Sequence, residues 1–207
     1  MDQTRLLQQL AFALEVDKEK NVLRQTRLSG NGRRENDAEH AWHMSVMAYL
    51  LREYANEPID IARTMIMTLT HDLVEIYAGD TYAYDVEGQA GAHEREVVAA
   101  DSLFGILPDD QAREMRAIWD EFEANQTPEA RFAHAMDSVQ PMMLNDANDG
   151  GNWREREVTR SMPASRNAVT RLGSTVLADY IDTVLDKHVE RGNLIDDSAA
   201  GEQDTLH

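Results

Sequence analysis

The stretch DIARTMIMTLTHDLVEIYAGD, residues 60–80, decides how this chain is read. Its apolar residues, among them Met65, Ile66, Leu69, Val74 and Ile76, fall at helical rather than strand spacing. Gly79 suits the left-handed position that ends a helix begun near Asp60. Into this apolar run the sequence inserts His71 and Asp72. An uncompensated polar group in a core costs roughly 2–7 kcal/mol, so such a pair persists where something satisfies it. Neighbouring helical residues diverge by about 100°, and two long side chains still reach a point lying between them.

The same interruption occurs twice more. His40 lies one turn inside a segment that starts near Asn36 and continues as WHMSVMAYLL, residues 42–51. Asp137 interrupts RFAHAMDSVQPMML, residues 131–144. A lone His-Asp dipeptide carries little weight. The order His…His-Asp…Asp on three apolar helices carries more, because three helices meeting at one cation would satisfy all four groups. Two imidazoles and two carboxylates are borderline-hard donors. They suit one divalent metal ion, Mn, Fe, Co, Ni, Zn or Mg, with water at the remaining positions.

Nearly every other periodic segment is helical too. The spacing predicts helices over 4–18, 36–54, 60–79, 92–105, 109–124, 128–147 and 164–191, with no strand pairs and no repeat. Asn36 and Glu39 form a capping-box pattern, and Thr127 followed by Pro128 marks another helix start. Segments 29–35, 79–91 and 148–163 read as exposed. The expectation is one compact all-α domain over 1–194 and an acidic, disordered tail over 195–207.

Composition sets the outer limits. With 207 residues, 42% hydrophobic and 28% charged, the chain buries a core of ordinary size without staples. The lack of cysteine rules out disulfides, thiolate zinc sites and thiol catalysis, and suits a reducing, cytoplasmic setting. The amino-terminal segment lacks the plan of a signal peptide, and no stretch approaches the ~18 apolar residues of a membrane span. A net charge of −18 argues against nucleic-acid polymers and anionic membranes, whose partners are basic. A small anion remains compatible, since a buried cation reverses the local potential in a cleft.

Three segments together resemble the HD superfamily of metal-dependent phosphohydrolases, and within it the HD-domain 5′-deoxynucleotidase-like group. They are RRENDAEH (33–40), HDLVEIYAGD (71–80) and the helix of Asp137. The most specific part is the HDxxExxxGD pattern of His71, Asp72, Glu75, Gly79 and Asp80. The resemblance implies a compact helical fold, commonly homodimeric, with His40, His71, Asp72 and Asp137 as ligands of the metal. It implies catalytic roles for Glu75 and Asp80 in the attack of a metal-activated water on a small phosphorylated substrate. Spacing agrees for Glu75, which shares a helix face with His71 and Asp72. The family's phosphate-orienting arginine matches Arg24, and the adjoining substrate positions match Gln25, Asp80 and Thr81. Where deoxynucleotide-selective members carry Trp, this chain has Gln25, so deoxyribose selectivity does not carry over.

The expected reaction is hydrolysis of (deoxy)nucleoside 5′-monophosphates or similar phosphomonoesters. Two other readings are hydrolysis of nucleoside triphosphates or guanosine polyphosphate alarmones, and a non-catalytic helical binding or sensing protein. Retention of Glu75 and Asp80 disfavours the last, and the lack of a basic patch favours monophosphates. Arg33 and Arg34 are alternative anion contacts. His43 is a supporting or core residue, His134 a core residue and His93 a surface one, and their positions favour one metal over two. Trp42, Met44, Met47 and Trp119 read as packing. Trp153 lies in a Gly-rich segment, where it is a candidate cover. Motifs for zinc proteases, di-iron bundles, P-loops and serine hydrolases are absent.

Overall fold

The computed structural model describes residues 3–79 and 91–198. From its amino end, α1 (Gln3–Val16) runs through a 3-10 turn at Asp17–Asn21 into an antiparallel ribbon of β1 (Leu23–Arg27) and β2 (Arg34–Asn36). Then come α2 (Asp37–Leu51), a second 3-10 turn at Arg52–Tyr54, α3 (Ile61–Thr70) and α4 (Glu75–Ala78). Beyond the undescribed segment follow α5 (Ala92–Phe104), α6 (Asp109–Ala124) and α7 (Pro128–Ala147). The chain ends with α8 (Gly151–Glu155), α9 (Ser161–Asn167), α10 (Thr170–Gly173) and α11 (Thr175–Glu190). The all-α expectation holds, with one correction. The ribbon of five and three residues is too short to show an alternating pattern, and it was not foreseen.

Local chemistry explains most boundaries. Asn36 Oδ1 accepts from Glu39 N at 2.9 Å while Glu39 Oε2 accepts from Asn36 N at 3.1 Å, so the capping box of α2 is complete. Thr127 Oγ1 accepts from Ala130 N, and Pro128 opens α7. Pro141 lies inside α7 and has no N–H for the carbonyl four residues back, which belongs to Asp137.

Two predicted helices are broken. The helix expected over 60–79 stops at Thr70, and α4 begins only at Glu75. Between them the backbone tightens, with Leu73 N bonded to Thr70 O and Glu75 N to Asp72 O. Residues three apart eclipse in such a turn, so Asp72 and Glu75 point the same way. The helix expected over 164–191 is divided into α9, α10 and α11. Gly173 passes so close to α7 that a Cβ there would lie 2.1 Å from the carbonyl oxygen of Arg131. Ser174 is extended, caps α11 by accepting from Leu177 N and donates to Tyr54 O at 2.7 Å.

Helix α7 is the central beam. Its Phe132, Met136 and Val139 pack with Met44 and Met47 of α2 and with Ile181, Val184 and Leu185 of α11. A second cluster joins Leu73 and Val74 to Leu103 and Phe104 of α5 and Trp119 of α6. The predicted exposed segment 148–163 is corrected in part, because Trp153 and Val158 are buried in the core of α7 and α11. Trp153 meets His188 edge-on at 5.0 Å. Trp42 is also corrected: it is 63% exposed on the outer face of α2, beside Val46 and Leu50.

Candidate metal centre

Helix α2 brings His40, the turn after α3 brings His71 and Asp72, and the middle of α7 brings Asp137. Donor atoms of His40, His71 and Asp72 all lie within 4.8 Å of one another. Asp137 Oδ1 is 3.1 Å from His40 Nε2 and 4.0 Å from His71 Nε2. The structure therefore gathers all four sequence-predicted residues at one point.

The hydrogen bonds behind the two imidazoles orient them. His71 donates Nδ1–H to the carbonyl of Thr68 at 3.0 Å, which turns Nε2 inward. That Nε2 is buried and makes no hydrogen bond, although Asp72 Oδ2 is 3.1 Å away. His40 Nδ1 is 3.0 Å from Gln140 Oε1, and Gln140 Nε2 donates to Glu35 Oε2 at 2.9 Å. The amide orientation set by Glu35 makes Gln140 Oε1 an acceptor, so His40 carries its proton on Nδ1. His40 Nε2 and Asp137 Oδ1 then face each other as two acceptors. A cation between them resolves that opposition, so the residues present fit a metal ion. Gln140, fully buried three residues after Asp137, was missed in the sequence. Its only signal was an amide on the apolar face of α7.

Charge follows the same arrangement. Burial pushes His40 down to about 4, helped by Arg24, so its imidazole is neutral. Burial also opposes charge on His71, but the Asp72 carboxylate outweighs it and lifts His71 to about 9, so with no cation present Nε2 holds a proton that a bound metal would displace. Burial would raise Asp72, yet His71 and Arg24 hold it well below the usual carboxylate range. Asp137 is held low against burial by His40 and Arg166. The centre thus draws positive charge to itself.

Arg24 stands on β1 inside this group. Its Nη1 donates to Asp72 Oδ2 at 2.7 Å and to Asp37 Oδ1 at 3.3 Å. Its position is built by the ribbon, which Asn148 clamps from the end of α7 through the carbonyls of Arg27 and Leu28. Burial works against the charge of Arg24, but Asp72, Asp137, Asp37 and Glu75 keep it firmly protonated. Glu75 joins Asp37 and Asp72 in a second group whose donor atoms lie within 4.8 Å of one another. Asp37, fully buried directly after the Asn36 cap, was not singled out from the sequence.

Other predicted residues are placed differently. Gln25 is turned toward α8 and the turn after it: its Oε1 accepts from Arg156 at 2.5 Å, and its carbonyl accepts from Asn152 at 3.2 Å. Asp80 and Thr81 lie outside the described residues. Arg33 pairs with Glu39 at the helix start, and Arg34 is exposed. His43 meets Gln140 Nε2 at 3.2 Å, and so supports the relay behind His40. His134 donates to the carbonyl of Phe122 at 2.9 Å and stacks on its ring at 3.9 Å. His93 is exposed, 3.4 Å from Glu123, and is grouped with Glu96 on the surface of α5 and α6.

Residues 16–174 match the model of the HD domain family. The chain belongs to the HD domain family. Over 106 residues this HD domain is 30% identical to the 5′-deoxynucleotidase HDDC2 of Danio rerio, covering 51% of this chain and 52% of that one. The chain thus spans about half the length of the curated relatives it matches. A crystal structure of a predicted metal-dependent phosphohydrolase from Magnetospirillum magnetotacticum MS-1 is 47% identical, with a TM-score of 0.88 over 93% of this chain and 96% of that one. An HD-domain phosphohydrolase from Listeria innocua shares the fold at a TM-score of 0.58 and 15% identity, over 88% and 85% of the two chains.

Proposed function

We propose that this HD domain protein is a metal-dependent phosphohydrolase acting on small phosphomonoesters, foremost (deoxy)nucleoside 5′-monophosphates. One observation carries the reading: two imidazole nitrogens and two carboxylates converge on one buried point, with a guanidinium and a further carboxylate beside it. His40, His71, Asp72 and Asp137 are the proposed ligands. The bound divalent cation supplies Lewis acidity and offsets phosphate charge. Mn, Fe, Co, Ni, Zn and Mg all suit the donors.

The chain's own residues do the rest. His71 and His40 are held by Thr68 and Gln140, so neither ring must reorient when the site fills. Glu75 shares the side of Asp72, and in this reading it takes a proton from the attacking water. Arg24 keeps its charge and presents a planar fork toward phosphate oxygens. Asp80 is proposed to assist the leaving oxygen or the sugar, with Thr81 beside it. The 5′-deoxynucleotidase names of the relatives support a nucleotide substrate, while the position of Gln25 gives no ground for choosing the sugar.

We further propose a cytoplasmic homodimer. The family resemblance and the exposed Trp42, Val46 and Leu50 of α2 support the dimer. Among the described residues no helix is long and apolar enough to cross a membrane. Sedimentation showing only monomer at micromolar concentration would remove the dimer.

The test is phosphate release from ribo- and deoxynucleotides with each divalent metal in turn. Wild type should release phosphate from monophosphates. Asp72→Ala should lose both metal and turnover, whereas Glu75→Ala should keep metal and lose at least about 100-fold in kcat. No turnover on any substrate despite tight metal binding would favour a sensing role, and a fully active Glu75→Ala would cancel its assignment.

A further inference from the structure

The reading above gives the substrate one guanidinium, and that guanidinium is already enclosed. Arg24 donates to Asp72 and Asp37, and Glu35 Oε1 and Asp137 Oδ1 stand 3.9 Å from it. Its side chain is only 13% exposed. A phosphate dianion entering here also meets Glu75, in a chain of net charge −18. A divalent cation offsets two of these charges, and Arg24, with its Nη1 committed to Asp72 and Asp37, meets the phosphate only from the enclosed side.

A second guanidinium approaches from the other side. Helix α9 places Arg166 Nη2 3.8 Å from Asp137 Oδ2, with the side chain 46% exposed. Among the described residues Arg166 makes no hydrogen bond and no other ion pair, so its N–H donors are open. Its platform is fixed. Asn167 is buried and bonds the carbonyl of Pro163 at 2.7 Å, and Arg160 is held on Asp186 at 2.7 and 3.0 Å. A fixed backbone, an exposed head and open donors beside a candidate ligand are what a phosphate clamp at the mouth of the site requires.

We propose that Arg166 binds the phosphate group of the substrate, holding its non-bridging oxygens from the solvent side while Arg24 meets them from within. This rests on the phosphomonoester reading for its substrate, though its test does not need turnover. The rival role is a steadying partner of Asp137, acting on the metal alone.

Calorimetric titration of inorganic phosphate into the Mn²⁺-loaded protein separates them, with Mn²⁺ affinity measured in parallel. Arg166→Ala should weaken phosphate binding about tenfold or more, raise KM for any hydrolysed monophosphate by a similar factor and leave kcat within about threefold. Mn²⁺ should bind no more weakly than in wild type, and Arg166→Lys should recover part of the phosphate affinity. Unchanged phosphate affinity in Arg166→Ala would overturn the proposal, as would a wild type that binds no phosphate. A matching loss of Mn²⁺ affinity would also overturn it, because Arg166 would then act through Asp137. If phosphate binding falls as stated while no phosphomonoester is ever hydrolysed, the hydrolase reading fails and Arg166 stands.

Discussion

Gln140 shows how much of the centre is set by a residue that would touch no metal. Its amide nitrogen serves Glu35 and His43, and its oxygen accepts from His40 Nδ1. Truncation to alanine removes the constraint on the His40 tautomer and strands the buried Glu35. Gln140→Ala is therefore expected to lower divalent-metal affinity about 10–100-fold, measured by calorimetry on chelator-treated protein. A variant that binds metal as wild type does would show that the His40 ring is held by packing alone. The four candidate ligands were legible in the sequence because each breaks an apolar face. Gln140, Asp37 and Arg166 were not. An amide on an apolar helix, an acid beside a cap and an arginine in a polar stretch look alike whether they are solvated or converge on a centre.

Elements were legible where one periodic face is buried and a cap marks its start, as in α2 and α7. They were misread where the chain bends without an apolar break. Leu73, Val74 and Ile76 keep the helical pattern through the turn at 71–74, so periodicity ran across it. The interruption comes from the tight bonding of Thr70, Asp72 and Glu75, and it brings Glu75 to the side of Asp72. The second misread break lies at Gly173, where two backbones touch. There the sequence did carry a signal, Gly-Ser before Thr-Val, which fits a helix end followed by a cap. Gly173→Ala forces its Cβ onto the Arg131 carbonyl, which is backbone and can yield only by shifting α7. A loss of more than about 2 kcal/mol is expected, or about 4–8 °C in Tm for a chain of this size. A melting temperature within 1 °C of wild type, to ~1 °C precision, would mean α7 and α10 part without penalty.

Across the whole molecule, three packed segments deliver the donors, and an acidic chain concentrates carboxylates where it needs a cation. Glu19 and Glu35 register that crowding: burial pushes Glu19 up to about 8 and Glu35 up to about 7, with Asp72 adding to both. Arg24 offsets part of this charge, and its guanidinium now spans the gap between Asp72 and Asp137. The family match over 16–174 covers every one of these residues. The central claim is that His40, His71, Asp72 and Asp137 close on a single divalent ion. An anomalous difference map at the manganese edge, from a crystal of this protein soaked in Mn²⁺, tests it most directly. The account predicts one strong peak within about 2.0–2.3 Å of His40 Nε2, His71 Nε2 and a carboxylate oxygen each of Asp72 and Asp137. A peak bound elsewhere, with Arg24 still bridging Asp72 and Asp137, would contradict it.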